Sequence, residues 1–255
     1  MKEGLDITFV NKKIYQNAQE MHKDDTVDAP LSVDFERELK NVCNPEMVEF
    51  IKHDKFVRES LLMLFKHDPK TFEHSARVGN ITTYIVEHLA SKLSKEEALN
   101  LIYSALLHDY GKLAVAPQLL NKQQITKEDK DQLKKHVIYS FDAVRQYNED
   151  AAKILVGHHE HQKDSYPRQS NNHLDYDERK IDLRTKRLSR TLSMIDTFEA
   201  MIANRPGNPS KNIKQISLEF KRQFSLPEDQ EVYFLLEEYY LKHINPEAKI
   251  DELVN

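Results

Sequence analysis

Residues 101–112 read LIYSALLHDYGK, an apolar run that closes on an adjacent histidine and aspartate, His108 and Asp109. Ser94, with Glu97 three residues on, has the pattern of a helix start, so the spacing predicts a helix whose last turn delivers the pair and which Gly111 ends. An imidazole and a carboxylate side by side at a helix end can turn onto one cation, and the second carboxylate oxygen can reach another. On either side of this stretch the chain has only five glycines and nine prolines in 255 residues, little turn chemistry for a many-stranded sheet. The expected fold is therefore all-α.

Helical periodicity organises the rest. Apolar residues from Met47 to Leu64 predict a helix from Pro45 to about Lys66, broken at Asp68-Pro69. The next helix places His74 on the same stripe as Val78, Ile81, Ile85 and Leu89. Thr126 with Asp129 opens a helix in which His136 falls inward beside Val137, Phe141 and Val144. Residues 150–159 form a short helix ending in Gly-His-His, and 183–203 a long one with Asp196 in its apolar stripe. Two further amphipathic helices, near 210–224 and 228–243, complete the chain, and the last could pack internally or on a second copy. Residues 1–45 carry no sustained apolar repeat and are expected to form an irregular arm, open to a regulatory protein partner.

A lone inward histidine is more often hydrogen-bonded filler than a ligand, and a lone buried aspartate is usually a cap or an ion-pair partner. Here His74, His108, Asp109, His136, His158, His159 and Asp196 fall on successive helices, and an unpaired carboxylate inside a helical stripe costs several kcal/mol. One shared cation site accounts for them together. A mixed imidazole and carboxylate set suits a first-row divalent metal better than calcium, and iron, manganese, nickel and zinc are all compatible with it. The remaining histidines, at 22, 53, 67, 88, 161, 173 and 243, lack the pattern and read as surface or structural. Arg184, Lys186 and Arg190 read as a solvated basic face.

Composition narrows the setting. The net charge of -5 leaves no electrostatic footprint for DNA. A single cysteine, Cys43, cannot form an internal disulfide. With no apolar run near the ~20 residues needed to span a bilayer and no secretory leader, the expectation is a cytoplasmic protein without a membrane partner.

The ordered segments TFEHSARV (71–78), ALLHDYGKLAVAPQLLNK (105–122), the helix around His136, GHHE (157–160) with Tyr166-Pro167, and IDTFEAMIANRP (195–206) resemble the motifs of the HD-GYP branch of the HD-domain phosphohydrolases, over about residues 46–206. The resemblance implies a helical HD-domain bundle over 46–255, holding two divalent ions, iron or manganese first. It also implies hydrolysis of cyclic di-GMP, or a related cyclic dinucleotide, to pGpG, GMP or both. Carried over by position, His74, His108, Asp109 and Asp196 would surround one ion and Asp109, His136, His158 and His159 the other, with Asp109 bridging. Two ions about 3.5 to 4 Å apart clamp a phosphodiester for in-line attack by water. Asp109 and Lys112 are the expected catalytic pair, and Lys112, Tyr166 and Arg205 the expected substrate contacts; Arg187 matches an arginine that recurs in the family, which implies that it packs inward against a carboxylate.

Departures from the pattern bear on substrate more than on metal. Lys70 stands where some members carry a glutamate for a third ion, so a two-ion site is expected. The Gly-Tyr-Pro loop reads Asp164-Ser165-Tyr166-Pro167, and without glycine it loses easy access to positive φ. Arg205-Pro206-Gly207-Asn208 keeps one guanidinium where the family has two cations and an aromatic. A rival expectation follows: a regulatory protein that keeps the metal scaffold while the altered loop abolishes turnover.

Overall fold

A computed structural model describes residues 32–162, 165–167, 181–204 and 209–247, and among these every regular element is a helix. They are α1 (Val33–Val42), α2 (Pro45–His53), α3 (Lys55–His67), α4 (Pro69–His88), α5 (Lys95–Leu107), a 3₁₀ turn (Tyr110–Ala114), α6 (Pro117–Leu120), α7 (Lys127–Lys134), α8 (His136–Val144), α9 (Glu149–Val156), α10 (Leu183–Ile202), α11 (Ile213–Gln223), α12 (Asp229–Tyr239) and a π turn (Tyr240–Ile244). No helix among the described residues is long and apolar enough to cross a membrane.

Local chemistry sets most boundaries. Asp68 caps α4 by accepting from Thr71 N at 3.2 Å, with Pro69 in the first turn, where its missing N–H costs nothing. Ser94 and Glu97 form the reciprocal capping box at the start of α5, as their spacing predicts, and Thr126 and Asp129 form another at α7.

Three expected boundaries change. The arm expected over residues 1–45 is helical from Val33, and Phe35 and Leu39 of α1 are fully buried. Phe35 packs on Phe65 and Phe72 at ring-centroid distances of 5.7 and 5.5 Å. Two apolar residues one turn apart among charged neighbours are too short a stripe to stand out as a repeat. Residues 1–31 lie outside the described residues. The helix expected from Pro45 to about Lys66 is two, because the Asp54 side chain turns back to accept from Val57 N at 2.9 Å and starts α3 afresh. The helix expected to run through Thr126 and Val144 is also two, separated at Lys135, which makes His136 the first residue of α8.

The core is one apolar cluster running through α1 to α5 and α8 to α12. Helices α4 and α5 pack closely at Gly79, where a methyl group would come within 2.5 Å of Leu106 Cδ2. Helix α9 lies against α5, α8 and α10. Ser104 Oγ ties α5 to α9 by donating to Ala151 O at 2.9 Å. These crossings bring one end of each of α5, α8 and α9 to the middle of α4 and α10. The last helix packs internally through Val232 and Leu236, while Phe234 is 61% exposed.

Candidate metal centre

The seven side chains expected to converge do converge. His74 comes from the buried face of α4 and Asp196 from that of α10; His108 and Asp109 follow the end of α5, His136 opens α8, and His158 and His159 follow α9. His74 Nε2 lies 3.0 Å from Asp196 Oδ1 and 3.2 Å from His108 Nε2. Asp109 Oδ2 is 3.6 Å from His74 Nε2 and 3.5 Å from His108 Nε2, whereas Asp109 Oδ1 is 3.2 Å from His136 Nε2. Three overlapping groups each bring their ligand atoms within 4.8 Å of one another: His74 with His108 and Asp196, His108 with Asp109 and His158, and His136 with His158 and His159.

The rings are aimed by what their outer nitrogens meet. Nδ1 of His108, His136 and His158 faces Ala105 O at 2.8 Å, Leu133 O at 2.6 Å and Leu155 O at 2.5 Å. A carbonyl only accepts, so each Nδ1 carries the proton and each Nε2 lone pair points inward. Gly111 holds the turn in place. A methyl there would sit 2.0 Å from His136 O, and Gly111 N donates at 2.7 Å to Ser140 Oγ, which donates at 2.7 Å to His108 O. The His-Asp turn and α8 can approach this closely only with no side chain between them.

These inward nitrogens supply the test of fit. The Nε2 atoms of His136 and His158 are buried without a hydrogen-bond partner, and His136 Nε2 faces a carboxylate oxygen, acceptor against acceptor. Buried acceptors left unpaired cost about 1–3 kcal/mol each. A divalent cation satisfies them all, and the imidazole and carboxylate donors match its preferences.

Compared with known protein families, residues 71–201 match the HD domain, just over half of the chain. The chain belongs to the HD-domain family. No curated protein matches the chain significantly. HD domains bind divalent metals and support metal-dependent phosphohydrolase chemistry, which the His and Asp groups of this HD domain fit.

The electrostatics divide the centre. On His74, burial opposes protonation, but the charges of Glu199 and Asp196 outweigh it and hold the imidazole up at about 9. Burial dominates at His136, which is pushed down to about 3, and also lowers His108, His158 and His159. Burial alone would raise Asp109 and Asp196. The Lys112 ammonium and surrounding imidazoles hold Asp109 well below the usual carboxylate range, and His74, then His108, do the same for Asp196. Two ionised carboxylates beside four neutral imidazoles make a cavity that attracts cations, with His74 giving up its proton when one binds.

Sequence reasoning missed Glu199. It is fully buried, accepts from His74 Nδ1 at 2.5 Å and from Arg77 Nε at 2.6 Å, and so orients the ring from behind. Its signal was its place three residues after Asp196 on one face of α10. Lys112, in the 3₁₀ turn, places Nζ 2.6 Å from Asp109 Oδ2. The Tyr166 ring stacks on His159 at 4.5 Å and 23°, with Lys134 Nζ 5.3 Å from its centre, and the Tyr166-Pro167 bond is cis. Burial, then Asp109 and Asp196, raise the Tyr166 hydroxyl. Lys70 donates to Asn121 Oδ1 at 2.7 Å. Arg205 and Asp164 lie outside the described residues.

The expected basic face is corrected. Arg184 forks onto Glu97, and Arg190 pairs with buried Asp229 at 2.6 and 2.7 Å, joining α10 to α12. The inward, carboxylate-paired arginine is therefore Arg190; Arg187, one turn back, is exposed. Helix phase relative to α12 decides between them.

Proposed function

We propose that this HD domain hydrolyses a phosphodiester bond of a cyclic dinucleotide, cyclic di-GMP first, to pGpG or GMP, using two divalent ions, iron or manganese. The observation that carries the reading is Asp109, which faces His74 and His108 through one oxygen and His136 through the other and so stands between two ligand groups. Two adjacent divalent ions supply Lewis-acid activation of water and of a phosphoryl oxygen. The chain's own side chains do the rest. Asp109, Asp196 and the five imidazoles would hold the ions. Lys112, already paired with Asp109 and partly exposed, supplies an ammonium that would bind a phosphate oxygen. The Tyr166 ring, stacked on His159, is the aromatic side chain beside the centre that we assign to contact with a purine base. The ordered HD-GYP motifs supply the substrate class, and the variant loop bears on which dinucleotide is preferred.

The test is to load the full chain with manganese or ferrous iron and follow cyclic di-GMP, cyclic GMP-AMP and linear pGpG by chromatography. Cleavage of cyclic di-GMP that stops on chelation is the expected result. No product from any of the three at full metal occupancy overturns the reading and leaves a regulatory protein built on a metal scaffold.

A further inference from the structure

Four of the five imidazoles at the centre are braced by neutral acceptors: three by backbone carbonyls, and His159 by Gln162 Oε1 at 3.0 Å. His74 differs. Its Nδ1 meets a carboxylate, Glu199, whose other oxygen is gripped by Arg77. Arg77 in turn reaches Glu73 Oε2 at 3.3 Å, and its side chain is 37% exposed against none for Glu199. A chain of charged hydrogen bonds thus runs from solvent to an imidazole of one metal position, separate from the Lys112 contact to the shared Asp109.

We propose that the Arg77 and Glu199 pair is a positioning device that makes the two metal positions unequal, so that the His74 and Asp196 position binds a divalent ion more tightly than the position at His136, His158 and His159. The inference rests on the metal-centre reading. Three physical effects favour it. A carboxylate behind an imidazole strengthens its free nitrogen as a donor more than a carbonyl does. The His74 side gathers Glu199 in addition to Asp109 and Asp196, whose charges also reach His158 and His159, and charge attraction grows where solvent is excluded. Arg77 holds Glu199 in one orientation, and its own charge is partly screened by water on its outer side.

Calorimetric titration of the chelator-treated full chain with manganese reads this directly. Two steps at least about 10-fold apart in affinity are expected, in line with the usual size of such bracing effects. His159→Ala should keep the tight step, assigning it to the His74 side. Glu199→Gln, of nearly the same shape, should weaken the tight step about 10- to 100-fold and leave the weak one in place. Arg77→Ala should move the tight step in the same direction by less, and Arg77→Lys should restore part of it; this partly exposed position keeps the question answerable if Glu199→Gln folds poorly. Two steps of equal affinity in the unaltered chain, or equal weakening of both by Glu199→Gln, overturn the inequality while the centre stands. No manganese uptake at all overturns the centre and the inequality together.

Discussion

Two buried polar clusters adjoin α5, one at Tyr103 within it and one at His108 and Asp109 just past its end, and they differ in whether their hydrogen bonds close. Around Asp54, every group has a counterpart. Oδ1 accepts from Val57 N at 2.9 Å, and Oδ2 accepts the hydroxyls of Tyr103 at 2.9 Å and Tyr147 at 2.5 Å. Both phenols are raised, by burial first and then by the neighbouring charge, which keeps them as donors. Around Asp109 the matching is left open. Imidazole nitrogens face carboxylate oxygens and one another, and two of them have no partner. Asp54 is surrounded by donors, whereas Asp109 has one cationic donor, Lys112, and otherwise faces imidazole nitrogens, among them the unprotonated Nε2 of His108 and His136.

The comparison breaks first on Asp109→Ala. Removing the oxygen pair that faces both ligand groups should lower turnover of a phosphodiester substrate by on the order of 10³-fold or more and reduce bound metal, read by elemental analysis and steady-state kinetics. Asp54→Ala should do the reverse. It strands two buried phenols and an amide, so urea unfolding should show a loss of about 3 kcal/mol, with metal stoichiometry unchanged. Metal loss in Asp54→Ala, or a comparable stability loss that metal cannot offset in Asp109→Ala, would erase the distinction.

The smallest expected effect is on pH dependence. In the metal-free protein His74 is held up at about 9, above its unfolded value of 6.5, so it binds more proton folded than unfolded. Its contribution to stability is complete below about pH 6.5 and fades as pH rises through 9. His136, pushed down to about 3, acts in the opposite sense, and its contribution fades as pH falls from 6.5 toward 3. Denaturation midpoints of the chelator-treated chain should therefore decline between pH 6.5 and 9, and His74→Gln should flatten that decline. An unchanged decline in that variant would place the titrating group elsewhere.

Much of this was legible before any coordinates. Caps at Ser94 and Thr126, the break at Asp68-Pro69, and inward histidines at helical spacing are local properties, and residues a few positions apart on a helix report on them faithfully. The ligand residues could be gathered because each breaks its own apolar stripe. Glu199 breaks its stripe too, but a carboxylate one turn after Asp196 does not say whether it faces the ion or the ring behind it. The break at Asp54 rests on an equally local contact, its side chain accepting from Val57 N, but it lies inside an apolar stripe that continues across it; the partners that hold Asp54 there, Tyr103 and Tyr147, lie far along the chain.

What the order of residues determined alone is the helical class, most helix starts, and the kind of chemistry that imidazoles and carboxylates can share. What the packing decided is which oxygen of Asp109 faces which group, which arginine of α10 turns inward, that α1 belongs to the core, and that only one imidazole is braced by a charge. The first set depends on neighbours within a turn or two, whose spacing the backbone fixes. The second depends on the rotation and depth at which separate helices meet, set by side chains such as Leu106, Ser140 and the missing side chain of Gly111, and no local spacing encodes it.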